Sequence, residues 1–107
     1  MYIVETTAKT ASASKYLQQL CKHFAHKVPA TFTPKAGEVE FPFGHCTMTA
    51  DDGQLSIRCK TQNPDNVPVL KGVIDSHLER FAWREELKLQ WQQNELAPET
   101  STGQAEG

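Results

Sequence analysis

The stretch from His45 to Cys59 constrains the fold of this chain most. Cys46, Met48 and Ala50 alternate with His45, Thr47 and Thr49 ahead of Asp52-Gly53, and Leu55, Ile57 and Cys59 alternate beyond it. Successive side chains of a strand point to opposite faces, and Asp-Gly is a strong signal for a two-residue hairpin turn. With Asp52-Gly53 at the centre, Ala50 faces Leu55, Met48 faces Ile57 and Cys46 faces Cys59. All six then share one face of the hairpin, which must be buried, while His45, Thr47, Thr49, Ser56 and Arg58 take the other.

Other segments supply what such a hairpin packs with. Tyr2 to Thr7 is rich in β-branched residues and reads as a first strand. Ser12 offers an N-cap to a helix running to about Lys27, with Ala13, Leu17, Leu20, Cys21 and Phe24 as its apolar stripe and Pro29 as its stop. Thr31 to Thr33 can form a short strand, and Pro34 to Gly37 a turn. Val39, Phe41 and Phe43 then alternate with Glu38, Glu40 and Pro42; proline lacks a donor, so this strand is expected at an edge or with an irregularity, and a bend or bulge is expected at Gly44. Asn63-Pro64-Asp65-Asn66 opens a second helix that accepts Pro68 in its first turn and presents Val67, Leu70, Val73, Ile74, Leu78 and Phe81. Leu87, Leu89 and Trp91 alternate in a final strand. The order β-α-β-β-β-β-α-β predicts an α+β two-layer sandwich, a mostly antiparallel sheet with two helices on one face, as a single domain over residues 1–96. Residues 97–107 hold no large apolar side chain and are expected to form a disordered tail.

With 107 residues and a net charge of −2, the chain has the size of about one domain and no basic excess, so binding to nucleic acid through phosphates is not expected. No apolar run reaches the length of a membrane span, and residues 1–10 lack the basic start and long apolar run of a secretory signal. The cysteines Cys21, Cys46 and Cys59 are odd in number and form no CxxC pair. The expectation is three mostly buried thiols in a cytoplasmic protein; Cys46 and Cys59 stand close enough across the hairpin for a disulfide if oxidised, and otherwise pack as thiols.

The chemistry-bearing residues gather on the two helices, in Lys22-His23-Phe24-Ala25-His26-Lys27 and His77-Leu78-Glu79-Arg80-Phe81-Ala82-Trp83-Arg84-Glu85. On a helical wheel His23 borders the apolar stripe, His26 falls on the polar side, and His77 falls within the stripe between Leu70, Ile74 and Phe81. Arg80 and Arg84 follow His77 along one flank, and Trp83 falls opposite the stripe. Three readings compete. In the first, His77 is a hydrogen-bonded core histidine and the arginines pair with Glu79, Glu85 or Glu86. In the second, the helices meet in a ligand site: His23, His26 and His77 hold a metal such as iron or zinc, or Arg80, Arg84, Lys22 and Lys27 hold an anion. In the third, His77 or His23 acts as a general base, though no nucleophile with a partner is visible. A pure interaction module, self-associating through a sheet edge or Trp83, is a further alternative.

These segments, with Ser14-Lys15-Tyr16-Leu17, Phe41-Pro42-Phe43-Gly44 and the Asp51-Asp52-Gly53 turn, resemble the bacterial domain of unknown function family 2218 over about Ile3 to Trp91. The His-Leu-Glu-Arg-Phe-Ala run is the most specific part of the resemblance. Domains that look like this one occur beside, or fused to, siderophore-interacting flavin reductases. The resemblance therefore implies an accessory role in iron or siderophore handling, with such a reductase as the partner. It names no reaction.

Overall fold

The computed structural model describes residues 1–82, 89 and 91–95. The elements are β1 (Tyr2–Lys9), α1 (Ala13–Phe24), β2 (Ala30–Phe32), β3 (Ala36–Phe41), β4 (Gly44–Asp51), β5 (Gln54–Thr61), a 3-10 turn (Pro64–Asn66), α2 (Val67–Phe81) and β6 (Gln92–Glu95). This is the expected order. The strands form one six-stranded sheet, β2-β3-β4-β5-β1-β6, in which every neighbouring pair is antiparallel.

The central hairpin has the register set by its alternation: Ala50 opposite Leu55, Met48 opposite Ile57 and Cys46 opposite Cys59. Gly53 turns the chain with φ 83°, a conformation that costs glycine little and other residues more. Val4, Val39 and the six hairpin residues belong to one buried cluster with Leu17, Leu20, Leu70, Ile74 and Leu78 of the helices. Both helices thus cover one face of the sheet. The helix α1 comes closest at Gly37, where an added Cβ would stand 2.6 Å from the Sγ of Cys21 and 3.3 Å from Leu17.

Four expectations change. Helix α1 ends at Phe24 instead of about Lys27: residues 25–27 form turns, with the N–H of Val28 and of Lys27 both donating to the carbonyl of Phe24. The strand expected through Phe43 stops at Phe41, and Pro42-Phe43 is the two-residue turn to Gly44. Proline has no N–H for the ladder and a φ already suited to a turn, so the irregularity is the turn itself. The last strand begins at Gln92, beyond the Leu89 and Trp91 expected within it. Leu89 and Trp91 pack against the core instead, and the indole N–H of Trp91 donates to Asp75 Oδ1 at 2.8 Å. Residues 87, 88 and 90, and the expected tail 97–107, lie outside the described residues.

The fourth change is chemical. Cys46 and Cys59 are joined by a disulfide across the central hairpin, their Cα atoms 4.1 Å apart, and do not pack as free thiols. Directly opposed residues on narrowly spaced strands bring their side chains together, and both cysteines are fully buried. Cys21 remains free and buried. No described helix is long and apolar enough to cross a membrane.

Candidate functional site

The two helices meet where the sequence concentrates its histidines. The rings of His23 on α1 and His77 on α2 stand 4.6 Å apart between centroids, tilted by 52°. Phe24 meets His77 edge-on at 5.0 Å, and Phe81 meets His23 at 6.0 Å. His77 is half-buried and His23 is largely open to solvent. The wheel placed them on the stripe and on its border, and this is the gradient observed.

A single hydrogen bond sets the chemistry of His77. Its Nδ1 lies 2.7 Å from the carbonyl oxygen of Val73, one turn earlier in α2. A carbonyl only accepts, so Nδ1 carries the proton, and in the neutral ring Nε2 is left with a lone pair. His23 is biased toward neutrality by its surroundings. Its pKa is lowered from 6.5, first because packing strips water from part of the ring, then because His77, Arg80, His26 and Lys27 oppose a further positive charge. Solvent reaches the rest of the ring, which keeps this effect moderate.

Of the expected site residues, the structure brings together His23, His77 and Arg80. His26 lies in the turn just beyond α1, exposed, with its N–H donating to the carbonyl of His23 at 3.3 Å. Among the described residues no three His, Cys, Asp or Glu side chains converge on a metal position. The two imidazoles in direct ring contact are those of His23 and His77. Arg84, Glu85, Glu86 and Trp83 lie outside the described residues.

Neither Ser76 nor Cys21 is poised as a nucleophile. The hydroxyl of Ser76 donates to the carbonyl of Val73 at 3.3 Å. The Cys21 thiol is pushed up to about 11 by burial, which keeps it protonated and inert.

One constellation went unforeseen. On the sheet face away from the helices His45 contacts two carboxylates of β3, Glu40 through Nδ1 and Glu38 through Nε2, the latter at 3.1 Å. The alternation of Glu38 and Glu40 was visible in the sequence. The signal that would have placed them is the Pro42-Phe43 turn, which sets Glu40 directly opposite His45.

A family model described as an uncharacterised protein conserved in bacteria, DUF2218, matches residues 5–92. Among solved structures the chain is similar to PA4090 from Pseudomonas aeruginosa, determined by NMR, with a TM-score of 0.73 and 29% identity over 86% of this chain and 96% of that one. No curated protein matches the chain.

Proposed function

The chain belongs to this uncharacterised bacterial family, and on that premise we propose that it is a ligand-binding accessory domain whose site is the His23–His77 pair rimmed by Arg80. The observation that carries the reading is the pairing itself: two rings 4.6 Å apart, with the Nε2 lone pair of His77 left free by the bond from Nδ1 to Val73. Arg80, Lys27 and His26 add positive potential around His23. Two imidazoles leave most of a metal's coordination sphere open, and nearby cations favour negative charge. The ligand that suits both is an anionic chelate carrying its own metal, rather than a bare ion. That chemistry agrees with a role in iron or siderophore handling beside a siderophore-interacting reductase, which the resemblance of the two helical segments implies.

The test is calorimetric titration of the purified chain with ferric citrate, citrate, ferrous iron and zinc. Ferric citrate should bind with one-to-one stoichiometry and more tightly than either bare metal. His77→Ala and Arg80→Gln should each weaken it by about tenfold, the scale of one charge-assisted contact. A folded wild type that binds none of the four, or binding that neither substitution changes, would sink the reading. The lone pair on His77 Nε2 also favours a second reading, a general base. A His77→Gln variant that keeps its fold and its affinity yet loses turnover of a candidate substrate would select that reading instead.

A further inference from the structure

A concave surface lies at the other end of an aromatic row that starts from the histidines. Phe24 packs edge-on against both His77 and Phe41, each at 5.0 Å. Phe41 in turn stacks on Phe43 at 4.9 Å, with the ring planes only 10° apart. Phe24 and Phe41 are buried and separate the two ends, while Phe43 is half-buried. With one face of Phe43 laid on Phe41, the opposite face is the one left to meet a ligand.

Phe43 lines a cleft of about 430 Å³ together with Glu40, Pro42, Gly44, His45, Lys60 and Gln62. That volume lies within the range of small-molecule sites, roughly 300–1,000 Å³, and the lining is mostly apolar with a few polar groups, as in such sites. The electrostatics of the rim follow from strand register. Glu40 stands opposite His45, and His45 stands opposite Lys60. The carboxylates of Glu38 and Glu40 both contact the His45 ring. Lys60 is exposed and has no ion-pair partner among the described residues. The cleft thus offers a flat aromatic surface with two charged groups on its rim, a Glu40 carboxylate engaged by His45 and a Lys60 ammonium with no ion-pair partner among the described residues.

We infer that this cleft is a binding site for a small planar ligand bearing one anionic group, its ring stacked on Phe43 and its charge at Lys60. Stacking accepts many flat ring systems, and the lysine selects those that carry a negative charge. The site is separate from the histidine pair and does not depend on the reading given to it.

The experiment is an amide NMR titration of the full chain with 2-naphthoate, with neutral 2-naphthamide as the matched probe. Saturable shifts should centre on Phe43, Gly44, His45, Lys60 and Gln62. Lys60→Gln, at an exposed position that leaves the core intact, should weaken 2-naphthoate by about tenfold and leave 2-naphthamide unchanged. Phe43→Ala should weaken both. The inference is overturned if the folded wild type shows no saturable shift, if the shifts centre on His23 and His77, or if Lys60→Gln binds 2-naphthoate as well as the wild type does.

Discussion

His77 and His23 differ in how their surroundings act on the ring. The bond from Nδ1 to Val73 chooses a tautomer for His77, whereas packing and neighbouring cations act on the charge of His23. A histidine whose pKa is lower folded than unfolded binds its proton more readily in the unfolded chain. The stability that His23 contributes is therefore complete well above 6.5, and it declines as the pH falls through 6.5 toward the lower folded value. The ring-proton NMR midpoint of His23 should lie below 6.5, and Arg80→Gln should move it upward by removing one of the opposing charges. A midpoint indifferent to Arg80 would mean that the guanidinium points away from the pair. Both placements were legible from helical periodicity alone. The exposed, polar side of His26 was legible too; the end of the helix was not, since α1 stops at Phe24, ahead of the Pro29 that marks the stop in the sequence.

At the scale of elements, local patterns carried the hairpin and non-local forces decided the rest. Cys46 to Cys59 could be paired residue by residue because Asp52-Gly53 fixes the register and one-sided alternation forbids a slip. The same register makes the disulfide, and the bond constrains the unfolded chain through a loop of sequence separation 13. Reduction should lower the unfolding free energy by roughly 3 kcal/mol, the chain-entropy estimate for a loop of this size. It is checked by urea unfolding with and without reductant. Thiol titration in denaturant should find one thiol before reduction, that of Cys21, and three after it. Three thiols before reduction would show that the pair is packed and unbonded. The misplaced last strand has a different cause. Leu89 and Trp91 alternate as strand residues do, but tertiary packing claims them: the indole reaches Asp75 on α2, and the polar run Gln92–Glu95 joins the sheet through its backbone.

Among the described residues the molecule is one sheet with helices on one side only, and that asymmetry was readable from the hairpin's single apolar face. The strand order was not. Nothing local says that β1 should lie between β5 and β6, because those pairings join segments far apart in the chain and are fixed only when the shared core closes. Leu70 of α2 is a sensitive probe of that closure. It is fully buried, and its Cδ1 lies 2.9 Å from where a Cβ on Gly44 would stand, so it bridges the second helix to the start of β4. Leu70→Ala should cost about 2–5 kcal/mol, through lost burial and the cavity left behind. In a domain whose total stability is on the order of 5–15 kcal/mol, that is a large fraction. Because α1, α2 and the sheet share one apolar cluster, the loss should not stay within α2. Unfolding followed by helical circular dichroism and by amide exchange in the central hairpin should shift together and remain a single transition. If the helical signal were lost first while the β4–β5 amides stayed protected, α2 would be an appendage docked on an independently stable sheet, and the single-core description would be wrong.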